Sequence, residues 1–462
     1  MTQLNNLLDR FSGSVITPDH PEYETARRVW NGMIDKRPTL IARCTSAADV
    51  KAALAFARTE RFPIAVRGGA HNVAGNATVD GGIVIDLSRM KGIRVDAEKR
   101  LAVAEPGLTW GEFDAATHAH GLATTGGLIS TTGIAGFTLG GGIGWLMRQH
   151  GLTADNLVAA ELVTADGQTL RASEKDNSDL LWALRGGGGN FGIVTRFEYR
   201  LHPVAQVIGG LTLYPAVRAG AMLRFFREIA NSAPDELTLL LAFITAPPAP
   251  FVPEHLRLKP VVAIVLCYTG DLTEGERIVR PIKSFGPPAA DLVGPMPYPA
   301  LQSMLDAGAP AGMQNYWKAS YLATVSDAAI EVIVEHAARM RSPLSQVHLH
   351  QMGGAVGRVP NAATAFSHRD TAFAMNIVGI WPDPAENDTH RRWAREFADA
   401  IAPHTTGGVY VNFLGNEGEE RVRAAYGDKA YARLVDVKNK LDPENVFQLN
   451  QNIRPKRSSQ HV

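Results

Sequence analysis

The chain has 462 residues, 45% of them hydrophobic and 20% charged, which is too long for one ordinary hydrophobic core and predicts two domains, or three. Its 46 Lys and Arg balance its 46 Asp and Glu, so nothing in the charge attracts nucleic acid or an anionic membrane. No apolar run is long enough for a bilayer, no basic segment leads into an apolar stretch at the start, and Cys44 and Cys267 are too few for a disulfide framework, so a cytoplasmic protein is expected.

In chain order, Ser46 with Asp49 three positions on reads as a capped helix start ahead of Val50, Leu54 and Ala57. The apolar run 64–66 predicts a strand. Residues 83–87, 93–95 and 101–104 read as an alternating hairpin. Thr109 with Glu112 repeats the capping device, and Gly121 would end that helix. Past Pro203 the runs lengthen, at 208–213, 237–244, 261–268, 347–352 and 372–381. Stretches with helical spacing separate them, at 219–230, 274–285, 327–340 and 388–401. That pattern predicts an antiparallel sheet with helices on one face. The expected division is 1–204, 205–405, a segment 406–455 that returns to the first domain, and a disordered tail 456–462.

Glycine clusters carry the chemistry. Gly187 to Gly192 satisfy G-x-G-x-x-G, but they follow a helical stretch and lead into strand-like residues 193–199, the reverse of a dinucleotide fingerprint. A glycine-rich turn, or a close approach to a different nucleotide, remains. In Arg67-Gly68-Gly69-Ala70-His71-Asn72 the paired glycines follow a strand and expose successive N–H groups able to bind a diphosphate. His71 beside them is either a cofactor contact or a hydrogen-bonded structural residue. Between Thr124 and Gly144 the backbone is so bare that a large planar ligand or a pyrophosphate could lie against it, the alternative being a series of tight turns. His348 and His350 share a strand face, yet no third ligand follows, and neither H-E-x-x-H nor C-x-x-C occurs, so no metal site is expected. G-x-S-x-G is also missing, which weighs against an esterase.

These residues, in this order, resemble the FAD-linked oxidases of the vanillyl-alcohol oxidase and p-cresol methylhydroxylase superfamily, in particular the berberine-bridge-enzyme-like branch. The anchors are 67–72, 131–142, Gly151-Leu152 with Asp155-Asn156-Leu157, 185–195, Tyr410-x-Asn412 and 450–455. The resemblance implies an α+β fold: an FAD-binding domain of two small α/β subdomains, and a substrate domain with an antiparallel sheet covered by helices. It implies that His71 joins the flavin 8α-methyl, which requires a neutral imidazole. Arg67, Gly68, Gly69, Ala70 and Asn72 would cradle the diphosphate. Thr125, Gly126, Thr131, Thr132, Gly133 and Gly136 would run beside the pyrophosphate and isoalloxazine. Gly141, Gly142 and Asp155 complete that set, with Gly192, Ile193 and Val194 on the adenosine half and Asn412 and Asn450 approaching from the C-terminal segment.

Many relatives attach the flavin a second time, through a cysteine at the position held here by Ile129, so a single covalent bond is expected. Thr132 falls where relatives control dioxygen access, and its small side chain favours an oxidase. Tyr410 is the expected base, with Gln351 and Asn376 as lesser candidates on strands flooring the pocket. The implied reaction transfers hydride from a C–H bearing hydroxyl or amine to flavin N5, with dioxygen as acceptor and hydrogen peroxide as product. Alternatives are a flavin monooxygenase or dehydrogenase, or a flavin-binding protein without turnover. Expected partners are a small-molecule substrate and dioxygen, with no nucleic acid or membrane, in a monomer or homodimer. With 7% aromatic residues, a compact substrate less like a sugar is favoured.

Overall fold

Three main sheets carry the chain in a computed structural model that describes residues 11–456. Apart from Lys456, the tail expected to be disordered lies outside the described residues. In the first sheet, Leu40–Arg43 and Ile64–Arg67 pair in parallel with a central strand Ile83–Asp86, and Ser14–Ile16 adds antiparallel at the edge. The helix Ala47–Thr59 makes the crossover, and Ser46 caps it by accepting from the Asp49 N–H at 3.2 Å. The expected hairpin is corrected here. Ile83–Asp86 is buried at all four positions, as a strand covered on both faces must be, and only Ile93–Asp96 with Leu101–Ala104 forms a hairpin.

That hairpin opens a second, antiparallel sheet in the order Ile93–Asp96, Leu101–Ala104, Ile193–Arg200, Leu157–Val163, Thr169–Ser173. The helices Trp110–His118 and Ser178–Leu184 pack on it through Trp110, Phe113, Leu180 and Leu181. The first is closed by a capping box between Thr109 and Glu112.

The third sheet runs Gln206–Pro215, Pro260–Tyr268, Leu237–Thr245, Gln346–Gln351, Phe373–Trp381, Gln314–Leu322, all antiparallel. Four helices, Ala219–Ser232, Leu272–Ser284, Asp327–Ala337 and Asn387–Ile401, bury their apolar stripes on one face through Leu223, Phe226, Val279, Ile333 and Phe397. The other face turns toward the first two sheets, with Leu213, Leu240 and Val265 packing near Ala123, Trp145 and Leu146. Gln314–Leu322 was not expected, because Gln314, Asn315, Lys318 and Ser320 break the apolar signal of an edge strand.

The C-terminal helices Glu419–Tyr426 and Asp428–Leu441 return to the second sheet, where Tyr426, Leu434 and Val435 join its core. Their anchor is a fully buried ion pair: the Lys438 ammonium donates to the Asp442 carboxylate at 2.6 Å, to the Asn190 carbonyl at 2.9 Å and to the Phe447 carbonyl at 3.1 Å. No helix among the described residues is long and apolar enough to cross a membrane. Both cysteines are buried and free.

A second polar contact joins the sheets. Asp114 on the helix Trp110–His118 accepts at 2.8 Å from Gln302 on the helix Tyr298–Ser303, and burial pushes its carboxyl from 3.8 up to about 7. Within that window the folded state keeps a proton that the unfolded chain has lost, so this group makes stability fall as pH rises from about 4 to 7. Asp114→Asn should remove that slope: the melting temperature of the variant relative to wild type should rise across the window. A gap that does not change with pH would mean that Asp114 is ionised in the fold.

Candidate functional site

The strand Ile64–Arg67 ends where the site begins. Arg67 turns its guanidinium into the interior, 3.7 Å from Asp86, donating to the carbonyls of Ala77 at 3.2 Å and Ala26. It ties down the loop that follows rather than facing a ligand. Ala70 then takes a left-handed conformation at φ 59°, uncommon for a residue with a side chain. Among the described residues the N–H groups of Gly69, Ala70, His71 and Asn72 donate to no other group of the chain.

Opposite, the helix Ile134–Leu139 starts at Gly133, which packs backbone to backbone against Gly69. A Cβ on either glycine would fall on the other's backbone nitrogen, so only glycine allows the two loops to close on each other. A Cβ on Gly136 or Gly189 would instead meet no atom within 4 Å. Both glycines line a cavity of about 960 Å³, near the top of the roughly 300–1,000 Å³ usual for cofactor and ligand sites.

The cavity is one long channel. At one end Ile64, Val66, Leu87, Gly192, Ile193, Val194, Phe447 and Asn450 surround it; at its middle lie Gly68 to Asn72, Thr132, Gly133 and Gly136; at the other end it reaches the inner face of the third sheet. Among the described residues no Asp, Glu, Lys or Arg lines it. An anionic diphosphate would therefore be held without a cationic side chain, by backbone N–H groups such as the free ones of 69–72 and by neutral donors such as Asn72 and Asn76.

At the middle, the half-buried His71 stacks on Trp30 with ring centroids 5.1 Å apart, and its Nε2 lies 3.2 Å from the Thr131 hydroxyl. Burial pushes its imidazole down to about 4, so it is neutral near pH 7. Nδ1 has no partner among the described residues. Ile129 lines the cavity nearby and offers no nucleophile.

Tyr410 stands where the middle meets the third sheet. Its hydroxyl is buried and accepts from Gly142 N–H at 2.9 Å, Ile143 N–H at 3.3 Å and Asn412 Nδ2 at 2.8 Å. Burial pushes the phenol up to about 12, while those three donors pull the other way by favouring the oxyanion. Asn412 also donates to the Phe137 carbonyl at 3.1 Å, which fixes its amide. Phe413 packs edge-on against Tyr410, centroids 4.8 Å apart.

Several expected site residues stand outside the cavity wall. Gln351 points to the opposite face of its strand, accepting from the Leu239 N–H at 3.0 Å and donating to the Ala230 carbonyl at 2.7 Å; alternation along Gln346–Gln351 gives the cavity to His348 and His350 instead. Asp155 is bound by Arg369 at 2.6 and 3.0 Å. Thr125 donates to the Gly151 carbonyl at 2.7 Å, and a Cβ on Gly126 would meet Gln302 and Trp110. Gly141 packs under Phe366, and Gly142 holds Tyr410. These five brace the walls. Trp30, Trp317, Phe413 and the aliphatic lining of the third sheet were missed, since nothing local marks them.

Among the described residues, three buried atoms on the cavity wall lack any partner: Asn450 Oδ1, Asn376 Oδ1 and His350 Nε2. Their lone pairs and protons, the glycine cradle and the free N–H groups fit a bound dinucleotide with a second molecule beyond it.

A parallel α/β unit, an antiparallel unit and a helix-backed sheet enclosing one such channel define an FAD-binding oxidoreductase of the p-cresol methylhydroxylase fold. A profile described as FAD binding domain matches residues 38–173, and one described as Berberine and berberine like matches 409–454. The (R)-6-hydroxynicotine oxidase of Paenarthrobacter nicotinovorans is 32% identical over 462 residues, spanning 96% of this chain and 97% of that protein. An FAD-linked oxidoreductase of Dictyostelium discoideum is 31% identical over 457 residues, spanning 98% and 97%. The crystal structure of 6-hydroxy-D-nicotine oxidase from Arthrobacter nicotinovorans superposes with a TM-score of 0.87 at 29% identity, covering 96% of this chain and 98% of that one. Berberine bridge enzyme from Eschscholzia californica shares the fold, with a TM-score of 0.85 at 21% identity over 98% and 99%. The chain belongs to the berberine-bridge-enzyme-like family of FAD-linked oxidoreductases.

Proposed function

We propose that the chain is an FAD-dependent oxidase that takes hydride from a carbon bearing hydroxyl or amine and returns the electrons to dioxygen as hydrogen peroxide. The observation that carries the reading is Tyr410: a buried phenol oxygen, facing the cavity, held by three donors and, among the described residues, by no acceptor. Such an oxygen is built to receive a proton, here from the substrate O–H or N–H. Bound in the channel, FAD supplies the hydride acceptor that no side chain can provide. Asn412 and Gly142 orient the base, and Thr132 lines the middle of the channel with a small side chain that leaves room for dioxygen. The free, buried cysteines favour a cytoplasmic location.

His71 is the proposed point of attachment, through Nδ1, because Nε2 faces Thr131 and the ring is neutral. Ile129 in the wall supports a single bond. Acid precipitation of the yellow protein tests this: the colour should stay with the pellet and map by mass to the peptide containing His71, whereas His71→Ala should keep yellow native protein that releases its colour to the acid supernatant. Colour in the wild-type supernatant would remove the covalent bond. Peroxide accumulating in proportion to product separates an oxidase from a dehydrogenase or monooxygenase.

A further inference from the structure

Beyond Tyr410 the channel crosses the inner face of the third sheet, and two polar side chains there have nothing to bind. His348 is satisfied: Gln346 donates from Nε2 to the Gly308 carbonyl at 2.9 Å, which leaves its Oε1 to accept from His348 Nε2 at 2.7 Å. His350 and Asn376 make no hydrogen bond with the described chain, although they are only 3% and 2% exposed. The register pairs His348 with Asn376 on neighbouring strands, and His350 lies two residues along on the same face. Phe413 stands 5.5 Å from His350 and 4.8 Å from Tyr410, centroid to centroid, so the two unpaired groups are one ring away from the base.

The walls around them are hydrocarbon. Leu211, Leu240 and Val265 line this end, and three of the four exposed large hydrophobics, Phe251, Leu258 and Leu292, ring its mouth. With no Asp, Glu, Lys or Arg among the described residues on the channel, a carboxylate or an ammonium entering it would shed its water and find no counter-charge there. A saccharide would bring many hydroxyls to a surface with few partners for them.

We propose that this end takes an uncharged, mainly hydrocarbon alcohol, aromatic or alicyclic, whose reacting hydroxyl lies at Tyr410 and whose one further polar group is received by His350 and Asn376, while its body lies against Leu211, Leu240 and Val265. This rests on the oxidase reading. The alcohol loses hydride from carbon and a proton from oxygen and leaves as the aldehyde or ketone, and dioxygen takes up the two electrons and two protons. Amines that are cationic at neutral pH, acids and sugars are disfavoured for one reason, the want of charged and polar partners.

The test reads binding by calorimetry on the yellow holoenzyme, with 4-ethyl-, 4-propyl- and 4-butylphenol as probes beside 4-butylanisole, 4-butylbenzoate and cellobiose. Each added methylene should tighten phenol binding about fourfold, and the ether, the acid and the disaccharide should bind at least tenfold more weakly than 4-butylphenol. His350→Leu should abolish the preference for phenol over ether while keeping the gain with chain length; Asn376→Leu is the second variant, and melting curves check that both are folded. A flat chain-length series, cellobiose or benzoate binding as well as 4-butylphenol, or an unchanged phenol preference in both variants would overturn the assignment. Peroxide release from 4-butylbenzyl alcohol decides the oxidase reading separately, since the affinity series needs no turnover.

Discussion

Tyr410→Phe should slow substrate reduction of the flavin by about 10²- to 10⁴-fold, the usual loss when a positioned base is removed, while the protein stays yellow. The ring keeps its packing against Phe366 and Phe413, so the change is confined to one oxygen. Gly142 N–H and Asn412 Nδ2 then lose their acceptor, which costs about 1–3 kcal/mol of stability. Wild-type reduction should accelerate with rising pH as the phenol, held high by burial, gives up its proton; the variant should lose that dependence. Anaerobic stopped-flow absorbance measures both, and a variant reducing at the wild-type rate takes Tyr410 out of the role.

Asp442→Ala should have the largest effect on stability. Both members of the Lys438–Asp442 pair are fully buried, and Asp442 also accepts from the N–H groups of Val446 at 2.7 Å and Phe447 at 2.9 Å. Burial already pushes the Lys438 ammonium below its usual range, against the pull of Asp442. Removing the carboxylate leaves a buried cation without a counter-ion, a loss of about 3–5 kcal/mol. Phe447 and Asn450 form the end wall of the channel, so the variant should also hold FAD less tightly. Replacing both partners, Lys438→Met with Asp442→Leu, should recover part of the melting temperature, because an apolar pair needs no counter-ion, while the Val446 and Phe447 N–H groups still lose their acceptor. A single variant that melts with the wild type would show that water reaches the pair.

The cofactor side of the site was more legible in the sequence than the substrate side, for a physical reason. Close approach of backbone to ligand, and of Gly69 to Gly133, demands glycine locally, and clusters of glycine are visible in one dimension. Arg67, Asp155 and Thr125 were identified as important but given the wrong contact, because Asp155 finds Arg369 214 residues away and no local pattern records that. Gln351 failed on alternation: both faces of the third sheet are apolar, one under helices and one on the channel, so a period of two cannot say which face is which. The strand Gln314–Leu322 was invisible because its edge position tolerates Lys318 and Ser320. The apolar lining is assembled from alternate residues on separate strands, and each of them alone reads as ordinary core.

The wall supplied by Tyr410, Asn412, Phe447 and Asn450 sets an order of events during synthesis. These residues are translated after every other part of the channel, so on the ribosome the glycine loops and His71 stand open along one side for most of the chain's birth. Closing that side falls to the segment 410–450, and the buried Lys438–Asp442 pair acts as its latch. A flavin that enters before the latch sets meets an open trough; one that arrives later must pass through the mouth at Phe251 and Leu258.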